Sequence, residues 1–153
     1  MQSAICEKPD TDSLSYPLSS PHGAVSVCIS SDRDILLARQ RGREVAAEVG
    51  FTGADLTLIA TAISELARNI LKYARYGEII LAPVERGDRR GLSVVAHDDG
   101  PGIRELQRAL QGGHSTGSGD GLGLPGVRQA MHEFKISSQV YSGTTVTLTQ
   151  WTD

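Results

Sequence analysis

Nine of the chain's 17 glycines fall between Gly100 and Gly126, and this clustering constrains the fold more than any other feature. Glycine loses more conformational freedom on folding than other residues and brings no side chain to a core. A stretch so rich in it separates packed blocks rather than forming one. The glycines have no three-residue period, and only 6 prolines occur in 153 residues, which excludes a collagen-like chain. The length suits one domain with a single core.

Fifteen Lys and Arg stand against 18 Asp and Glu, a formal net charge of −3. A general nucleic-acid binder carries a basic face instead. Arg86, Arg89 and Arg90 form the densest basic cluster and read as a solvated hairpin tip. No apolar run approaches the roughly 18 residues of a membrane span, and residues 1–22 lack a basic-then-apolar signal layout. Cys6 and Cys28 make no disulfide framework. His22, His97, His114 and His132 show no metal-ligand spacing. The expectation is a cytoplasmic protein with neither nucleic-acid nor membrane partners.

Residues 1–22, rich in Ser, Asp and Pro, are expected to be a flexible tail. Alternation predicts a strand over 24–30. Ser31 with Asp34 resembles a capping box opening a helix that ends near Gly50, and Thr52 with Asp55 repeats the signal for a helix to about Ala74. Strands are expected over 78–85 and 92–98 around a hairpin loop of about four to six residues. A short helix over 103–111, a Gly/Ser loop over 112–121 and a third main helix over 122–134 follow. A closing hairpin joins 135–141 to 144–151. This order predicts an α+β two-layer sandwich, one sheet covered by helices on one face.

Three glycine patterns compete within the cluster. Gly113-His-Ser-Thr-Gly117 fits a nucleophile elbow, but the strand that chemistry requires before the serine is missing. Gly121-Leu-Gly-Leu-Pro-Gly126 fits a dinucleotide fingerprint, yet no strand precedes it and no acid follows about 20 residues on. The third pattern takes two separate clusters, Asp98-Asp-Gly-Pro-Gly102 after a strand and Gly119-Asp-Gly-Leu-Gly123 opening a helix. A carboxylate at a strand end can accept a hydrogen bond from an amine such as that of adenine. Glycines let backbone approach a flat ring, and a helix start bares N–H groups toward phosphate. Together these suggest one nucleotide gripped at both ends.

On the second helix Leu56, Ile59, Ala60, Ile63, Leu66, Ala67 and Ile70 form one stripe. Glu65, Asn69 and Lys72 lie at i, i+4 and i+7 on another face. They form either a solvated helix back or a carboxylate base, a metal-binding oxygen and a phosphate-binding cation. One Asn is enough for a nucleotide-borne Mg²⁺, which takes few protein ligands.

Glu65-Leu-Ala-Arg-Asn69, Asp98-Asp-Gly-Pro-Gly102 and Gly119-Asp-Gly-Leu-Gly123 resemble the N, G1 and G2 boxes of the GHKL (Bergerat-fold) ATPase and kinase superfamily. Gly143-Thr144 resembles its last adenine-side contact. The strings over 61–70 and 121–128 look most like the bacterial RsbT-type stressosome switch kinases. The resemblance implies the Bergerat fold with a mixed sheet, one kinase domain over 23–153 and an ATP lid at about 104–120. It implies ATP and Mg²⁺, with Glu65 as general base, Asn69 as metal ligand and Asp98 reading adenine. Gly100 and Gly102 would lie at the ring, Gly119, Gly121, Leu122 and Gly123 at the phosphates, Thr144 behind the adenine and Lys72 on a phosphate. The lid region has no Lys or Arg between Arg108 and Arg128. Implied partners are STAS-domain substrates of a stress-response partner switch and a downstream phosphatase activated by binding. Alternatives are an anti-sigma factor kinase and a nucleotide-gated binding module without catalysis.

Overall fold

A computed structural model describes residues 23–103 and 123–152. The expected tail, most of the helix over 103–111, the lid at 104–120 and the positions Gly119, Gly121 and Leu122 lie outside the described residues.

Strand β1 (Val25–Ile29) is followed by two long helices, α1 (Asp32–Val49) and α2 (Ala54–Tyr73). Asp34 explains the start of α1. Its carboxylate accepts from the backbone N–H groups of Ser30 at 2.8 Å and Ser31 at 3.1 Å, satisfying donors that a helix start leaves open. Gly50, at φ 125°, ends the helix and donates to Ala46 and Ala47. The cap expected from Thr52 does not form: α2 begins at Ala54 with Gly53, at φ 55°, as N-cap. Gly42 lets the two helices meet closely, because a Cβ there would collide with Ile63 Cδ1.

Strands β2 (Gly77–Arg86) and β3 (Arg89–Asp98) form a long hairpin. The turn is shorter than expected. Pairing runs on to Arg86 with Arg89, leaving Gly87 and Asp88, and Gly87 takes the positive φ of 64° that such tight turns favour. Helix α3 (Gly123–Ala130) precedes β4 (Glu133–Gln139) and β5 (Gly143–Trp151). The third helix therefore stops four residues before the predicted 134. Glu133 and Phe134 instead pair with Thr149 and Leu148, so sheet pairing overrides their helix-compatible character.

The five strands lie in the order β1-β2-β3-β5-β4, and every pairing is antiparallel. This corrects the mixed sheet implied by the resemblance. β4 runs in the same direction as β3 and would have paired with it in parallel, but β5 sits between them.

Both long helices pack on one face of the sheet, giving the expected two layers. Ile79, Leu81, Leu92, Val94 and Leu148 meet Ile35, Val45, Ile59, Ile63 and Leu66 there. The arginine cluster lies exposed at the hairpin tip, as expected, and two of its members make contacts there. Arg86 and Arg89 lie 4.6 and 5.0 Å from the ring of Trp151, which strand alternation puts on the face away from the helices. Gly91 makes room beneath it, since a Cβ would meet the ring at 2.6 Å. Among the described residues no helix is long and apolar enough to cross a membrane.

Candidate functional site

A cleft with about 400 Å³ of unfilled space opens where α2, the ends of β3 and β5, and α3 converge. Of the residues singled out in the sequence, Asn69, Asp98 and Thr144 line it. Its walls are otherwise apolar: Leu66, Ile70 and Tyr73 from α2, Ala96 and Val146 from the sheet, and Ile103, Leu124 and Ile136 at the rim. None of these wall residues was a site candidate, although Leu66 and Ile70 stood in the apolar stripe of the second helix. Leu66, Ile70 and Tyr73 recur at i, i+4 and i+7 around Asn69. Ala96 and Val146 each lie two residues from Asp98 and Thr144, and so share their face.

Asp98 lies at the end of β3 and is buried. Its Oδ1 accepts from the Gly100 N–H at 2.9 Å, and the Thr144 backbone N–H also supports the carboxylate. Burial pushes its pKa above the ordinary 3.8, outweighing those hydrogen bonds and the nearby His97. Among the described residues no cation stands within ion-pair distance of it.

The glycines around Asp98 answer to the protein's own packing. A Cβ on Gly100 would lie 2.5 Å from that of Ala74. Gly102, at φ 83°, would collide with the Gln139 carbonyl, and Gly143, at φ 106°, with that of Asp98. The Asp98–Gly102 turn is thus pressed against the β4–β5 hairpin. Ser138, unremarked in the sequence, pins that contact. Its hydroxyl accepts from the Ile103 N–H at 2.8 Å and lies 2.8 Å from Thr144 Oγ1. Tyr141 also donates its N–H to Pro101 O at 2.7 Å.

Glu65, Asn69 and Lys72 do not form one solvated face. Between Ile59 and Ala67 helix α2 is buried on nearly every side, and Glu65 is buried with it. Glu65 Oε2 accepts from Arg68 Nη1 at 2.9 Å. Asn69 is half-buried at the cleft, without a hydrogen-bond partner among the described residues. Lys72 is exposed, does not line the cleft, and holds its ammonium 5.2 Å from the Tyr73 ring. Gly123, at φ 68°, opens α3 beside the cleft-lining Leu124.

An apolar slot with a buried carboxylate at its foot suits a flat heterocycle bearing an amino group. A carboxamide oxygen at the edge is a hard, neutral donor of the kind that suits Mg²⁺ held by phosphates.

Residues 54–152 match the family described as histidine kinase-, DNA gyrase B- and HSP90-like ATPase. The serine/threonine-protein kinase RsbT of Bacillus subtilis (strain 168) is 45% identical over 125 residues, covering 82% of this chain and 94% of that protein. The mycobacterial sensor histidine kinase MprB has a similar fold. The TM-score is 0.50 at 19% identity, over 85% of this chain and 97% of that one.

Proposed function

Because the chain belongs to the histidine kinase-, DNA gyrase B- and HSP90-like ATPase family, and within it to the serine/threonine-protein kinases, we propose that it phosphorylates STAS-domain regulatory proteins. The setting is a bacterial stress-response partner switch in the cytoplasm, in which the kinase, once released, binds and activates a downstream phosphatase. Use of ATP follows from the family. The STAS partners and the phosphatase follow from the resemblance of the strings around Glu65 and Gly121 to stressosome switch kinases.

The observation that carries the reading is that buried Asp98 and Asn69 line one cleft, with buried Glu65 one helical turn before Asn69. In this reading Asp98 accepts from the adenine amino group, with Thr144 behind it and the apolar walls enclosing the ring. Asn69 would hold Mg²⁺, which would offset charge on the phosphates. Lys72 leaves the Tyr73 ring to meet a phosphate. Glu65 takes the proton of the acceptor hydroxyl while that oxygen bonds the γ-phosphorus. The bond from phosphorus to the β–γ bridging oxygen breaks, and its electrons leave with ADP. Positioning and electrostatics supply most of the acceleration.

Transfer of the γ-phosphate to candidate STAS-domain proteins, with wild type, Asp98→Asn and Glu65→Ala side by side, tests this. Wild type should label one of them, Asp98→Asn should fail to bind nucleotide, and Glu65→Ala should bind it without transfer. ATP-dependent binding of a partner with no transfer by wild type would favour the non-catalytic module. Capture of a sigma factor in place of a STAS protein would favour the anti-sigma kinase.

A further inference from the structure

Arg68 has no role in the reading above, yet it is the cation in contact with the acid taken as base. Its Nη1 lies 2.9 Å from Glu65 Oε2, one helical turn away. The Glu65 side chain is 9% exposed and that of Arg68 is 51% exposed, so the pair joins the interior to the surface. Glu65 Oε1 has no hydrogen-bond partner among the described residues. At about 100° per residue, the cleft-lining Leu66, Asn69, Ile70 and Tyr73 span a sector of roughly 100°. Glu65 stands about 40° beyond Asn69, and Arg68 about 60° further round the same side. The guanidinium therefore reaches the carboxylate from the side away from the cleft.

We propose that Arg68 is a positioning residue for Glu65, resting on the assignment of Glu65 as general base. It clamps Oε2 from outside and leaves Oε1 as the atom presented to the acceptor hydroxyl. The terminal torsion of a glutamate is soft, so a carboxylate lacking this charge-assisted bond samples orientations in which neither oxygen meets the hydroxyl. Because Arg68 lies away from the cleft, its loss acts on turnover and not on nucleotide binding. A lysine can still make one N–H···O contact to Glu65, though without the planar fork of arginine.

The test uses the STAS-domain protein that wild type phosphorylates best, with kcat and the KM for ATP measured separately. Arg68→Met should lower kcat about 10- to 100-fold, the scale of a displaced catalytic group, and leave the KM for ATP within about twofold. Arg68→Lys should recover most of the loss, and Arg68→Met added to Glu65→Ala should cost nothing more. Unchanged kcat in Arg68→Met beside an inactive Glu65→Ala overturns the proposal, leaving the base assignment intact. So does a loss carried in the KM for ATP, or a full further loss in the double variant. An active Glu65→Ala overturns the base assignment and this proposal with it.

Discussion

Two carboxylates at opposite ends of the sheet have opposite fates. Asp98, where β3 ends beside β5, is buried and supported by backbone N–H groups, and burial raises its pKa. Glu133, at the far end where β4 begins, lies at the surface. It accepts from Arg86 at 2.8 Å and from Trp151 Nε1 at 3.0 Å, and these two donors hold its pKa below 4.5. At one end the carboxylate finds its donors within the chain. The other keeps an acceptor out of water without a counter-ion, which costs stability. In the proposed reading the adenine amino group completes it.

If that division is right, changes at the cleft end should cost function and changes at the hairpin end should cost stability. Glu65→Ala should produce the largest effect, a drop of about 10²- to 10⁴-fold in phosphate transfer with nucleotide affinity nearly intact by titration. Next in size, Trp151→Ala should destabilise the protein by about 3–5 kcal/mol in chemical denaturation. Nucleotide affinity per folded molecule should stay unchanged, and a loss of affinity there would break the division.

Asp98→Asn should abolish detectable nucleotide binding, a loss of about 100-fold or more, on the scale of a lost hydrogen bond to a charged group. It should also raise the melting temperature of the nucleotide-free protein. Since the folded pKa of Asp98 lies above 3.8, its ionisation destabilises the fold. The advantage of the variant should therefore be absent below pH 3.8, grow as pH rises through the raised value, and persist to neutrality. Glu133→Gln should give the smallest effect and the opposite sign. A lowered pKa means stabilisation above 4.5 that disappears as pH falls through the folded value. The variant should melt slightly below wild type at pH 7 and level with it in strong acid.

Much of the framework was legible in the sequence because short-range rules govern it. The α2 stripe, the Asp34 contribution to the start of α1 and the alternation along β1 all follow from periodicity and capping. What escaped depends on distant partners. Glu133 and Phe134 read as helix until Thr149 and Leu148 claim them. Glu65 looks like part of a polar stripe, and nothing local says that its middle is buried. In the cleft Asp98 and Asn69 were legible by type and spacing. The glycines were legible only as close approaches, and what they approach is Ala74, Gln139 and the Asp98 carbonyl. Ser138 escaped because its contact with Thr144 needs the register of the closed hairpin, and Ile103 meets it only when that hairpin docks on the Asp98–Gly102 turn.

The inner position of β5 has a consequence for when the binding site comes into being. The cleft needs Ala96 against Val146 and Asp98 against Thr144, a ladder that closes over the whole stretch containing α3 and β4. Such non-local pairing is slow to form, and no partial structure offers the pocket in its absence. In the proposed reading, occupancy by nucleotide reports complete assembly. A ligand present at about 100 times its Kd would add about 2.7 kcal/mol to that state alone.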